Sequence, residues 1–233
     1  MPFSIDHVVP WGRSLEEYRA MFSLSEGDVA RRILGCGDGP ASFNAELSAR
    51  GGSVVSVDPL YRFSKAAIER RVKQAFPSMM AQTSANRGDF VWTHVRSLDD
   101  LGRRRMGALR SFLADFEAGQ RSGRYVDAAL PVLPFADDTF DLALSSHFLF
   151  LYSVQFDLDF HVAALREMLR VAAEVRVFPL LQIGGAPSPH VTGVQEAFTT
   201  PDVSATVEPV PYEFQRGGNR MLRLRRGTAS DSA

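Results

Sequence analysis

The chain has 233 residues, 45% of them hydrophobic, with 26 basic against 27 acidic side chains and a formal charge of -1. That length and apolar content suit one substantial α/β domain, and the even balance gives no general drive toward nucleic acid or acidic membranes. A lone cysteine excludes an intramolecular disulfide and any multi-cysteine metal site.

The start, MPFSIDHVVPWGRS, lacks the basic segment and apolar run of a secretory signal. No window approaches the roughly 20 apolar residues that span a bilayer, so the expectation is a cytoplasmic protein with no membrane contact. Ser14 followed by Glu17 forms a capping-box pattern, predicting a helix through about Ser25. Arg32-Ile33-Leu34 then enters the turn Gly35-Cys36-Gly37-Asp38-Gly39-Pro40-Ala41, and the next helix buries Phe43 and Leu47 until Gly51-Gly52 stops it. Ser53 to Val57 reads as a strand from its β-branched density, ending at Asp58-Pro59. Ser64 to Phe76 predicts a helix interrupted at Pro77. Strand, glycine turn, helix, strand and helix within some 50 residues is the pattern of a parallel sheet.

Residues 78–96 show no clear period, and Ser97 caps a helix that carries Leu101, Leu109, Leu113 and Phe116. Tyr125–Leu130 and Phe140–Ser146 read as strands on either side of Asp137-Asp138-Thr139. Asp157 or Asp159 opens a helix with Val162, Leu165 and Leu169 inward, and Glu174–Leu181 is a further strand. Ala205–Phe214 and Met221–Arg225 form a terminal pair around Arg216-Gly217-Gly218-Asn219, and the tail from Gly227 is expected to fray.

Chemistry concentrates at the glycine turn. Gly37 and Gly39 follow a strand and open a helix, a context that leaves backbone N–H groups free for an anionic ligand. Asp58 lies 21 residues after Gly37 at the end of the next strand, where a carboxylate can accept from both hydroxyls of a ribose. The bland reading of this set is a tight turn with a strand-end cap.

The stretches ILGCGDGPASF, VVSVDP and LPFADDTFDLALSSHFLFLY resemble the class I S-adenosylmethionine-dependent methyltransferases over about residues 30–182. The resemblance implies a mainly parallel seven-stranded sheet with a terminal antiparallel strand and helical cover. It also implies S-adenosylmethionine as cofactor, with Gly35, Cys36, Gly37, Gly39, Asp58, Pro59, Ala129, Leu130 and Ser146 at its binding site. Residues 1–233 are then one domain, with 1–30 and 78–123 as cap or acceptor-pocket elements. Two positions depart from the family pattern. Gly35 stands where the family usually carries an acid, so that role must move elsewhere or be absent. Asp127, the nearest acid after the third strand, is about two residues out of place for an adenine contact.

Methyl transfer from a sulfonium is an in-line displacement in which the protein mainly aligns the nucleophile and excludes water. His147, just after the predicted fourth strand, is the first candidate base or orienting residue, its ordinary pKa near 6.5 suiting proton transfer at neutral pH. Tyr152 and His190 are further acceptor-side candidates, the first readable as core and the second as a loop residue. Arg13 is a candidate for the cofactor carboxylate, in partial replacement of the missing acid. No metal is expected, because His7, His94 and His161 offer no compact ligand spacing, and Cys36 needs no role beyond its small size. Arg103-Arg104-Arg105 with Arg110 reads as a solvated surface rather than a nucleic-acid site. The leading expectation is methyl transfer to a small-molecule acceptor. An RNA or protein methyltransferase, an NAD-linked oxidoreductase and a non-catalytic cofactor-binding or interaction protein remain as alternatives.

Overall fold

The computed structural model describes residues 11–227. His7 and the polar tail beyond Gly227 lie outside them.

Alternation along the central strands decides which side chains face which helical layer. In β1 (Arg32–Cys36), Leu34 and Cys36 join one apolar cluster and Ile33 the other; in β4 (Phe140–Ser146), Ala143 faces the first, and Leu142 and Leu144 the second. Side chains of a strand point alternately to its two faces, and a parallel sheet buries both. The first face is covered by α6 (Leu158–Val171) through Leu165 and Met168, and by α7 (Val191–Phe198). The second face receives Tyr18 and Met21 of α1 (Leu15–Met21) and Phe43 of α3 (Phe43–Ser48). Fully burying a side chain of this size contributes about 1.5–3 kcal/mol.

With β2 (Ser53–Val57), β3 (Tyr125–Val126), β5 (Ala172–Phe178), β6 (Val203–Pro209) and β7 (Arg220–Arg226), the sheet runs in the order β3-β2-β1-β4-β5-β7-β6. The first five strands of that order are parallel, and β7 is antiparallel to both β5 and β6. This is the class I methyltransferase fold expected from the sequence. The order reverses at β1 and β4, so the crevice outside their carboxyl ends is where an open α/β sheet takes its ligand.

Several elements differ from the sequence expectation. The first helix stops at Met21, and Ser25 with Asp28 builds a second capping box for the four-residue α2 (Glu26–Val29). Pro77 does not end its helix: α4 runs Lys65–Ala85 through it. The proline forgoes one ladder hydrogen bond, but burial of Ile68 and Val72 before it and of Met79 and Thr83 after it holds both halves. The strand expected over Tyr125–Leu130 shrinks to two residues, because the chain turns at an Ala129–Val132 bridge.

The serine cap at Ser97 starts α5 (Leu98–Arg121), whose Phe112 and Phe116 pack with Tyr61 and Tyr125 beside α4. The arginine run on α5 is not wholly solvated. Arg105 is 2% exposed, and its Nη1 donates to Glu17 Oε2 at 2.7 Å. Arg103 and Arg104 remain toward solvent and pair with Asp100. Asp137 and Asp138 form a surface turn, paired with Arg170 and Arg226.

Candidate active site

A cavity of about 960 Å³ opens at the carboxyl ends of β1, β2 and β4. Its floor is the glycine turn. Gly37 has φ +71°, and a Cβ there would come 2.8 Å from Phe148 Cγ, so two constraints act at this position: the left-handed backbone and the close ring. Gly37 N donates to Val57 O at 2.9 Å, tying the turn to the end of β2. Asp58, the next residue, accepts from Gly39 N through Oδ2 and from Leu60 N through Oδ1, each at 2.8 Å. Each oxygen keeps a further acceptor lone pair. Burial raises the Asp58 pKa, and the two backbone donors oppose that rise.

Asp38 is the feature that the sequence reading passed over. Its carboxylate is 6% exposed and lines the cavity, with Oδ1 accepting from the Tyr18 hydroxyl at 2.7 Å and Oδ2 from Ser56 Oγ at 2.6 Å. Burial pushes its pKa up to about 6, although both hydroxyls favour the ionised form. A Cβ placed on Gly35 would lie 1.8 Å from Asp38 Oδ2 and 2.4 Å from Asp38 Cγ. The carboxylate of residue 38 therefore fills the space that a side chain on residue 35 would need. The available signal was an acid inside the turn itself, three residues after an unexpected glycine.

Arg13 lines the cavity from the segment preceding α1, held over the turn because Ser42 N donates to its carbonyl at 3.0 Å. Its Nη1 donates to Trp11 O at 3.0 Å, and its buried Nε has no hydrogen-bond partner among the described residues. Burial and the nearby Arg105 lower its pKa to about 10, so it is still a cation at neutral pH. Arg105 differs in forming an ion pair, its Nη1 2.7 Å from Glu17 Oε2, although its own buried Nε also has no hydrogen-bond partner among the described residues. The Glu17 carboxylate also accepts from the Tyr212 hydroxyl at 3.0 Å and from Ser14 N at 3.2 Å. Burial disfavours the Glu17 charge, but Arg105 and Arg13 outweigh it and hold the pKa at about 2.

His147 lines the cavity just beyond β4 with φ +53°, fixed by its N–H donating to Phe178 O at 2.6 Å. A left-handed backbone at a non-glycine residue is the kind of local cost that clusters at sites. Its Nδ1 lies 2.9 Å from Ser146 Oγ, and the serine hydroxyl in turn donates to Met21 Sδ at 3.8 Å. Both contacts are satisfied when Nδ1–H donates to Ser146, which leaves the lone pair on Nε2. Burial, Arg13 and Arg105 put its pKa well below 6.5. The imidazole is thus neutral at pH 7, and its ionisation lies under the neutral range expected from the sequence.

Pro59, Ala129, Leu130 and Ser146 line the same cavity, as does Tyr152, which is buried in its wall. Other candidates fall elsewhere. Cys36 is buried in the core, and Gly35 provides space for Asp38 rather than cavity surface. His190 does not line the cavity. It sits at the start of α7, its Nε2 3.1 Å from Ser153 O and its ring 4.8 Å from that of His161, so packing accounts for it. Asp127 is also off the cavity, paired with Arg62 at 3.1 Å. Of the expected cap elements, residues 11–18 and 79–90 reach the cavity, whereas α5 contributes no lining residue and its Arg105 bonds to Glu17. Phe214 and Gln215 enter from the β6–β7 connection, which no local motif announces.

Among the described residues no group of three or more His, Cys, Asp or Glu side chains could hold a metal ion, and no helix is long and apolar enough to cross a membrane.

No family model matches the chain. Among solved structures, magnesium protoporphyrin IX methyltransferase (ChlM) from Synechocystis PCC 6803 aligns in two forms. With bound SAM, the TM-score is 0.48 at 10% identity, covering 91% of this chain and 78% of that one. With bound SAH, it is 0.49 at 10% identity, covering 91% and 81%. Likeness at this level carries no ligand or acceptor across. The sequence itself is 30% identical over 216 residues to the uncharacterized protein MJ0045 of Methanocaldococcus jannaschii, covering 92% of this chain and 95% of that protein. With nearly the full length of both chains aligned at that identity, this protein belongs to the MJ0045 family.

Proposed function

We propose that the protein transfers the methyl group of S-adenosylmethionine to a small, partly apolar acceptor. The observation that carries this reading is one cavity in which the glycine turn and Asp58 share walls with His147 and a set of aromatic side chains. Its roughly 960 Å³ stands at the upper end of ligand pockets, which leaves room for an acceptor beside a nucleoside.

The residues present fit that cofactor: the buried Arg13 Nε lacks a partner, Asp58 keeps free acceptor capacity, and any side chain at Gly37 would collide with Phe148. When bound, the cofactor supplies the electrophilic methyl group. Asp58 accepts from the ribose hydroxyls, Pro59 and Leu130 give an apolar flank to the nucleobase, and Arg13 offers its guanidinium to a carboxylate. His147, neutral at pH 7, orients the acceptor through Nε2 or takes its proton there. Phe148, Phe156 and Phe160 provide an apolar wall that keeps water from the reacting atoms.

Calorimetry with S-adenosylmethionine, S-adenosylhomocysteine and NAD in parallel decides the cofactor. Binding of both sulfur nucleosides with none of NAD is the expected result, and the reverse pattern overturns the reading. An acceptor screen for methyl transfer then separates an enzyme from a cofactor-binding protein.

A further inference from the structure

We propose that Asp38 is a transposed acid of the glycine loop and receives the α-ammonium group of the cofactor's amino-acid end, from the space that a side chain on residue 35 would fill. The inference rests on the methyl-donor reading above and assigns a residue within it.

The first support is steric. With Asp38 Oδ2 only 1.8 Å from an ideal Cβ on Gly35, the two positions cannot both carry side chains in this arrangement. One carboxylate occupies one space, reached from the turn instead of from the strand.

The second support is a missing counter-charge. Asp38 is buried, yet its hydrogen-bond donors are two neutral hydroxyls, Tyr18 and Ser56, and no arginine, lysine or histidine forms an ion pair with it among the described residues. A buried carboxylate without a cation is costly. Each oxygen retains acceptor capacity, and the group lines the cavity. A ligand ammonium is the donor that would complete it.

The third support is complementarity. Arg13 lines the same cavity as a cation with no carboxylate paired to it among the described residues, while Glu17 is committed to Arg105, Tyr212 and Ser14. An unpaired anion and an unpaired cation on one cavity suit a zwitterionic α-amino-acid group.

The experiment compares two ligands that differ in the amino-acid end alone: S-adenosylhomocysteine and methylthioadenosine. Asp38→Asn removes the charge and keeps a partner for each hydroxyl. It should weaken S-adenosylhomocysteine binding about tenfold to a hundredfold, the scale of a charge-assisted hydrogen bond, and change methylthioadenosine binding less than threefold. The swap Gly35→Asp/Asp38→Ala should regain most of the loss by restoring the carboxylate from the other position. Asp38→Ser is read in the same way if the asparagine variant does not fold. Equal weakening of both ligands, or of neither, overturns the assignment while leaving the cofactor reading intact, as does wild-type protein that holds methylthioadenosine as tightly as S-adenosylhomocysteine. Wild-type protein that binds neither overturns the cofactor reading itself.

Discussion

The two ends of the central sheet bury carboxylates in opposite ways. At the amino end, Glu174 on β5 is 2% exposed and surrounded by guanidinium groups: Arg176 and Arg223 each lie 2.7 Å from Oε1, and Arg31 lies 3.1 Å from Oε2. Asp28 completes the cluster by pairing with Arg176 at 2.9 Å. At the carboxyl end, Asp38 is also buried, at 6% exposed, but among the described residues it meets only hydroxyls and Arg13 pairs with no acid. The amino end spends its charges on itself, as a structural cluster does. The carboxyl end leaves charges unmatched, which is what a ligand site requires of its protein. Burial raises the Glu174 pKa, but Arg176, Arg223 and Arg31 outweigh that effect and hold it below the ordinary value, whereas Asp38 rises to about 6.

The sharpest expected break between the ends is functional. His147→Ala should lower turnover by about 10²–10⁴ if Nε2 takes a proton from the acceptor, with little change in nucleoside affinity or unfolding free energy. Because the His147 pKa is well below 6.5, the wild-type rate limb belonging to this group should fall below that pH, and the variant should lose it. Unchanged turnover and an unchanged limb, measured at saturating cofactor, would remove the residue from the chemistry.

At the other end the cost should be to the fold. Glu174→Ala leaves Arg176 buried without its closest acid, and breaking a buried pair costs about 3–5 kcal/mol. Urea unfolding reads this directly, and a loss under 1 kcal/mol would show that the cluster is dispensable. The sign with pH follows from the depressed pKa: the Glu174 contribution is present above the ordinary glutamate value and fades as pH falls through the folded one.

Asp38 should behave in reverse. Its folded pKa, about 6, exceeds the unfolded value of 3.8, so folding binds a proton between those values and stability declines as pH rises across that window. Asp38→Asn should therefore stabilise the ligand-free protein by about 1–3 kcal/mol at pH 8, with the gain vanishing near pH 4. A destabilised variant at pH 8 would mean that the carboxylate serves the fold after all.

The smallest effect expected is at Arg13. Arg13→Leu should alter unfolding by no more than about 1 kcal/mol, since the guanidinium forms no ion pair among the described residues. Loss of its charge should move the His147 titration upward, because Arg13 helps to lower that pKa. Histidine ring signals followed by NMR would report this, and a titration that stays put would place the two groups out of electrostatic reach.

What the sequence made legible divides along the same line. The β-branched run Ser53–Val57, the serine caps at Ser14 and Ser97, the helix start at Asp157 and the step from Gly37 to Asp58 are local patterns, and each has its counterpart in the structure. Asp38 was hidden because the direction of a side chain in a turn depends on backbone angles that composition does not encode. Arg105 was hidden by its neighbours: an arginine triplet reads as a charged surface until Glu17, 88 residues earlier, is brought beneath it. His190 was misplaced because a histidine after a strand looks alike whether its loop bends toward the cavity or, as here, packs against His161. Phe214 and Gln215 carry no signal at all, since their place depends on how the β6–β7 connection folds back.

The exclusion between residues 35 and 38 also constrains how such a site can change over generations. A chain with an acid at position 35 and a small residue at 38 cannot reach the present arrangement by two independent steps. Gaining Asp38 first puts two acidic side chains into one space, while losing the older acid first passes through a form with neither. The two positions are therefore expected to covary among descendants of one ancestor, glycine at the first with an acid at the second, or the converse. A lineage carrying acids at both would need the residue-38 side chain turned out of this space, and one carrying neither would lack the carboxylate altogether.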